Sequence, residues 1–248
     1  MLLRPFFLSK KGVMGLVSVL NNFELSLHPQ DIEKLEHFAK RLLEENAKVN
    51  LTATDNYEEL LERHVVDSLI PMKLGVGISQ TGGCDIGSGG GFPGIVLACL
   101  QPDKKWVLCE SDRKKSAWLK AISGELDLKD VSVVNERVET VGHLDIHRES
   151  YDLCTSRALA KAPVMLEYCL PLVKVGGELW TWQGDDFNPF LWERALGLLG
   201  GRILDVKSYR LPCKDENRHR LFVRVQKVSP TPEEFPRKVG IPKKRPLV

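Results

Sequence analysis

From residue 84 to residue 182, short apolar runs alternate with helical stretches, and this alternation constrains the fold more than any other feature of the chain. Runs at 84–86, 106–109, 131–134, 151–155 and 178–182 read as strands. Helical stretches at 94–100, 114–126 and 162–173 lie between them. Strands that alternate with helices build a parallel sheet covered on both faces, the doubly wound α/β arrangement. After residue 182 the pattern changes. Residues 203–211 and 221–226 read as two more strands with no room for a helix between them, so they pair antiparallel through a charged loop. The expected fold is a Rossmann-like three-layer α/β sandwich, mostly parallel, ending in an antiparallel hairpin.

Before Gly75 the pattern is helical. Over 29–47 the residues Ile32, Leu35, Phe38, Ala39, Leu42 and Leu43 recur at helical spacing, with Pro29 suited to a first turn. Asn50-Leu51-Thr52-Ala53 interrupts it. In the next helix Asp55 is the expected N-cap, Glu58 completes a capping box, and Tyr57, Leu60, Leu61, Val65 and Leu69 share a face. The organisation expected is a helical segment over 1–75, a core over 76–228 and a basic, proline-rich tail over 229–248. On composition the tail is extended and mobile unless something holds it. A net charge of +2 is too small to establish a nucleic-acid partner, but basic residues concentrate in that tail. Six cysteines include no Cys-x-x-Cys pair, so neither zinc-ribbon nor thioredoxin-like chemistry is suggested, and the pattern suits buried thiols in a reducing cytoplasm. No apolar stretch approaches the ~20 residues that span a membrane, and Lys10 and Lys11 interrupt the N-terminal one. The expected setting is cytoplasmic, with no membrane partner and no metal.

The strongest local signal is Asp85-Ile86-Gly87-Ser88-Gly89-Gly90-Gly91-Phe92-Pro93-Gly94, which follows a strand and opens a helix. Glycines allow a sharp turn and a close approach of backbone to ligand. A phosphate-binding P-loop is excluded, because no Gly-Lys-Ser/Thr follows. The next strand ends in Glu110, where a carboxylate accepts hydrogen bonds from a ribose diol. That pair of features serves a dinucleotide and S-adenosylmethionine (SAM) equally well. Two others favour SAM: Val134 to Glu139 follows the third strand, beside the expected adenine edge, and Ser156-Arg157-Ala158 ends the fourth. Arg157 then stands beyond a carboxyl end, where open α/β sheets hold their ligands.

The three-layer arrangement with a terminal antiparallel hairpin resembles SAM-dependent methyltransferases. More specifically, Asn50-Leu51-Thr52-Ala53, Arg63-His64-Val65-Val66-Asp67-Ser68-Leu69, Gly87 to Gly94, Arg137-Val138-Glu139 and Ser156-Arg157-Ala158 together resemble the RsmG (GidB) family. Pro236-Arg237-Lys238 with Gly240, and Pro246-Leu247, are similar to that family's basic C-terminal signature. The resemblance implies a methyltransferase that modifies N7 of a guanosine in bacterial small-subunit (16S) ribosomal RNA, alone or within the 30S subunit. It implies SAM as cofactor, with Gly87, Gly89, Phe92, Glu110, Val138, Glu139 and Arg157 as binding residues. The chain departs from the family pattern at Glu45-Asn46, where Trp-Asn is usual, and at Gln183-Gly184, where Lys-Gly is usual.

Guanine N7 carries a lone pair and no proton, so the implied reaction needs alignment rather than a general base, and no catalytic residue is assigned. N7 lies on the edge that A-form RNA makes hard to reach, so the target must be unpaired or opened and recognition should depend on RNA shape. Arg237, Lys238, Lys243, Lys244 and Arg245, with Lys10 and Lys11, are the candidate phosphate contacts. His64 and Asp67 lie on one helical turn without further ligands nearby, which points to helix packing against the cofactor loop rather than to a metal. Two rivals stand beside this reading: a nicotinamide-dependent oxidoreductase, and an inactive RNA-binding assembly protein with the same fold.

Overall fold

The computed structural model describes residues 15–78, 81–211, 213 and 219–247, so Lys10 and Lys11 lie outside the described residues. The N-terminal part comprises α1 (Leu16–Asn22), α2 (Pro29–Val49), α3 (Tyr57–Leu60), a π-helical turn at Leu61–Val65, α4 (Val66–Ser68) and α5 (Ile70–Lys73). The core then runs β1 (Gly82–Ile86), α6 (Gly94–Cys99), β2 (Lys105–Cys109), α7 (Arg113–Glu125), β3 (Val131–Val134), α8 (Val138–Val141) and β4 (Tyr151–Arg157). It continues through α9 (Ala162–Cys169), a 3-10 turn at Leu170–Leu172, β5 (Val173–Gln183), α10 (Phe190–Leu199), β6 (Gly201–Arg210), β7 (His219–Lys227) and α11 (Ile241–Lys244).

The strands form one sheet in the order β3-β2-β1-β4-β5-β7-β6. Pairings among the first five are parallel, and β7 lies antiparallel to both β5 and β6. The order reverses between β1 and β4, which is where a doubly wound sheet opens a crevice at its carboxyl ends. Successive residues of β2 divide between two buried clusters: Trp106 and Leu108 join one, Cys109 the other. Alternate side chains face opposite sides of a sheet, so these clusters are the two layers flanking it. Residues of α1 and α2 belong to the first cluster, and Phe235 and Leu247 of the tail to the second.

Several boundaries depart from the sequence reading for identifiable reasons. The cap of α3 is Asn56, one residue later than expected, and its side chain accepts the Glu59 N–H. Helix α9 stops at Cys169 because Pro171 cannot continue it, and β5 begins five residues before the expected run. β1 starts at Gly82 although glycine is a poor strand former. A Cβ on Gly83 would stand 2.8 Å from the Leu153 carbonyl oxygen, so the crowding between β1 and β4 requires its absence. Helix α10 and helix α1 had no counterpart in the sequence reading. All six cysteines are buried and unpaired.

Candidate cofactor crevice

Gly87 leaves β1 at φ +73°, and a Cβ there would stand 2.5 Å from Leu159 Cδ1, so the turn at this point requires glycine. The N–H groups of Gly87 and Ser88 both donate to the Cys109 carbonyl, at 2.9 and 3.2 Å, which ties the loop to the end of β2. Trp118 Nε1 donates to the Gly90 carbonyl at 3.0 Å from the other side. Beneath the loop, the wholly buried Asp85 carboxylate accepts Thr155 Oγ1 at 2.8 Å and the Gly94 N–H at 3.2 Å. Those bonds join β1, β4 and α6. Burial raises the Asp85 pKa to about 6, against the pull of its donors.

Two carboxylates face the loop. Glu110 accepts the Gly89 N–H at 2.9 Å on Oε2 and the Asp112 N–H at 2.8 Å on Oε1. Asp112 in turn caps α7 through the N–H groups of Lys114 and Lys115. Glu139, buried at the start of α8, accepts the Gly240 N–H at 3.0 Å. Glu110 follows β2 and Glu139 follows β3, so the two acids lie in sequence along the carboxyl edge of the sheet.

On the opposite side, Arg157 ends β4. Its Nη1 donates to Asp67 Oδ2 and its Nη2 to His64 Nδ1, both at 2.9 Å, and its guanidinium lies 5.2 Å from the Phe92 ring. His64 packs on Phe92 with ring centroids 5.1 Å apart. Burial, then the charges of Arg157 and Arg63, lower the His64 pKa to about 3. The ring is therefore neutral, accepting at Nδ1 and donating from Nε2 to Thr52 Oγ1 at 3.2 Å. The expected contact between His64 and the cofactor loop is present, while Asp67 meets His64 only through Arg157. Asn46 fixes the neighbouring Asn50-Leu51-Thr52 turn, its Oδ1 accepting the Leu51 and Thr52 N–H groups at 2.7 and 2.9 Å.

These elements enclose a crevice of about 330 Å³. Gly87, Gly89, Phe92, Glu110, Val138, Glu139 and Arg157 all line it. So do Lys115, Tyr168 and Lys243, which the sequence reading did not place there. Lys115 was legible, since it lies in the first turn after the Asp112 cap; Tyr168 sits within an apolar helix and gives no signal. A second cavity of about 680 Å³ shares His64, Arg157 and Ala158 with the first, and is otherwise lined by residues including Thr54, Trp182 and Gln183. Among the described residues no cluster of three or more His, Cys, Asp or Glu is arranged to hold a metal, and no helix is long and apolar enough to cross a membrane.

The tail is held rather than extended and mobile. Arg148 donates to the carbonyls of Thr231, Pro232 and Phe235, and Arg237 pairs with the fully buried Glu167 at 2.8 and 2.6 Å. Composition registers prolines and cations but not these distant partners. Of the candidate phosphate contacts, Arg237 is thus committed within the protein, whereas Lys238, Lys243, Lys244 and Arg245 are exposed.

The model of the family described as rRNA small subunit methyltransferase G matches residues 31–188. The Ribosomal RNA small subunit methyltransferase G of Syntrophomonas wolfei is 40% identical over 212 residues, covering 85% of this chain and 97% of its own length. That of Desulfitobacterium hafniense is 41% identical over 229 residues, covering 92% and 93%. Among solved structures, a SAM dependent methyltransferase from Aquifex aeolicus superimposes with a TM-score of 0.50 at 15% identity, over 77% of this chain and 98% of its own, a likeness of fold alone. With its family match, its near full-length relatives and its crevice at the β1–β4 reversal, this chain belongs to the rRNA small subunit methyltransferase G family.

Proposed function

We propose that the protein transfers a methyl group from SAM to N7 of a guanosine in small-subunit (16S) ribosomal RNA, acting in the cytoplasm on the RNA or on the assembled 30S subunit. The observation that carries this reading is the crevice itself: a glycine turn at Gly87 faces Glu110 and Glu139 across a cleft at the sheet reversal. Its chemistry fits the cofactor. Glu110 lines the crevice and retains lone pairs for a ribose diol.

SAM, when bound, supplies a methyl group already activated by its sulfonium. The chain's own residues then have to align the acceptor, since N7 has no proton to remove. The second cavity is the proposed seat of the target base, because it meets the crevice at Arg157 and His64. Neutral His64 holds the Arg157 guanidinium by accepting from it, and Asp67 holds it from the other terminal nitrogen. Neither His64 nor Asp67 is asked to move a proton. The exposed cations Lys238, Lys244 and Arg245 are the proposed phosphate contacts.

A tritium-transfer assay on small subunits from a methylation-deficient strain, followed by mass mapping of the RNA, tests the proposal. One methyl group on guanine N7, dependent on the protein and on SAM, is expected. Absence of transfer to both free 16S RNA and subunits, with SAM bound, would leave the inactive assembly protein as the better reading.

A further inference from the structure

One wall of the second cavity is a single helical face. Glu59 at the end of α3 and Arg63 in the π-helical turn are one turn apart, and both line this cavity with His64. Of the three, His64 alone also lines the cofactor crevice. Approaching the crevice, the wall therefore presents a carboxylate, then a guanidinium, then the neutral His64 beside Arg157. At ~1.5 Å per residue, Glu59 stands roughly 7 Å before His64 along the axis, about the long dimension of a purine.

The carboxylates of this cavity differ in what they can still accept. Asp67 is buried, and its two oxygens are taken by Arg157 and Tyr209. Asp185 is 63% exposed and pairs with His219. Glu59 is 42% exposed, and one donor holds each of its oxygens. Oε2 accepts Thr54 Oγ1 at 2.6 Å, and Oε1 lies 3.2 Å from Arg63 Nε. A carboxylate oxygen can accept two bonds, so each keeps a lone pair for a ligand while the group is already fixed in place. Two such oxygens side by side match a pair of adjacent N–H donors.

Guanine offers that pair. Its N2 amino group and N1–H donate next to one another, O6 accepts beside them, and N7 accepts beyond O6. The order along the wall is complementary, with N7 falling at the junction of the two cavities. Adenine would turn its N1 acceptor toward the carboxylate and its N6 amino donor toward the guanidinium, so both contacts would be repulsive.

We propose that Glu59 and Arg63 read the target base as guanine, Glu59 accepting from N1–H and the N2 amino group and Arg63 donating to O6. The inference rests on the second cavity being the seat of the target base. It assigns specificity to a pair that lies outside the cofactor crevice and takes no part in methyl transfer.

Small subunits reconstituted with 16S RNA carrying guanosine or inosine at the methylated position test it. Inosine keeps N1–H, O6 and N7 and lacks only the N2 amino group. The wild-type protein should methylate inosine with a kcat/KM about 10- to 100-fold lower, the effect of one lost hydrogen bond to a charged group. Glu59→Gln should slow guanosine by a similar factor and shrink the inosine penalty to less than about threefold. Its affinity for S-adenosylhomocysteine, read by isothermal titration, should stay at the wild-type value, which also shows that the variant is folded. Arg63→Met should slow guanosine and inosine alike, because both carry O6; an unchanged rate on guanosine would break the pair. Equal wild-type rates on guanosine and inosine would overturn the proposal without any variant. An inosine penalty that Glu59→Gln leaves intact would overturn it too. No methylation of guanosine by the wild-type protein would instead sink the proposed function, and this pair with it.

Discussion

Replacing Asp67 by alanine should destabilise the protein by several kcal/mol, although Asp67 does not line the cofactor crevice. The side chains of Asp67 and Arg157 are 6% and 12% exposed, and they meet at 2.9 Å. Tyr209 also donates its hydroxyl to Asp67 Oδ1. Removing one partner of a buried ion pair strands the other charge and typically costs about 3–5 kcal/mol. Here Arg157 keeps His64 Nδ1 and two weaker carbonyl contacts at 3.5 Å, and it borders both cavities, where water can reach it. Those remnants move the expected cost to the lower end, about 3 kcal/mol, with roughly 1 kcal/mol more for the Tyr209 hydroxyl. Asp67→Asn keeps an acceptor for only one of the two donors, turns an NH2 group toward the other and removes the charge, so it should recover only a small part of the loss. Arg157→Met combined with Asp67→Ala should recover most of the loss, because no charge is then stranded. Equilibrium urea unfolding of the two single variants and the double variant measures this as a cycle. An Asp67→Ala loss under about 1 kcal/mol, or a double variant no more stable than Asp67→Ala, would refute the reasoning.

Gly87→Ala forces a side chain onto φ +73° and into Leu159; a loss of about 1–2 kcal/mol and of S-adenosylhomocysteine binding is expected, read by unfolding and calorimetry. His64 titrates near 3 in the fold and near 6.5 unfolded, so the unfolded chain takes the proton first. Its contribution is complete above pH 6.5 and is lost as pH falls toward 3; nitrogen NMR should show a neutral ring at pH 5, and His64→Gln should flatten the acid limb. Asp85 acts with the opposite sign, since its raised pKa favours the fold below about pH 3.8 and that advantage is lost as pH rises through about 6. Asp85→Asn should therefore make stability climb more steeply between pH 4 and 6. Replacing Lys238, Lys244 and Arg245 together should reduce the salt slope of RNA binding by about 2–3, measured by filter binding across salt concentrations. An unchanged slope would remove these residues from the interface.

The sheet was legible because the two periodicities alternate cleanly from Cys84 onward, and the crevice followed from it, since sheet topology fixes where Gly87, Glu110 and Arg157 emerge. Helix α10 was legible too and went unassigned: Trp192, Ala195, Leu196 and Leu199 are buried at helical spacing, and Gly200 closes the helix at φ +75°. Gly82 and Gly83 misled strand propensity, because what matters there is the distance to β2 and β4 backbones. The tail could not be read from composition. Its anchors, Arg148, Glu167 and Glu139, lie far away in sequence and look like ordinary surface charges in an unfolded string. The same holds for the junction of His64, Asp67 and Arg157, which exists only once α4 has packed against the end of β4.

A crystal structure of the protein with S-adenosylhomocysteine tests the central claim most directly. The account predicts the ligand in the crevice, its ribose hydroxyls on Glu110, its base beside Val138, and its sulfur beside Gly87 on the side facing the second cavity. Ligand density elsewhere, or a reversed ligand with its amino acid at Glu139, would contradict it.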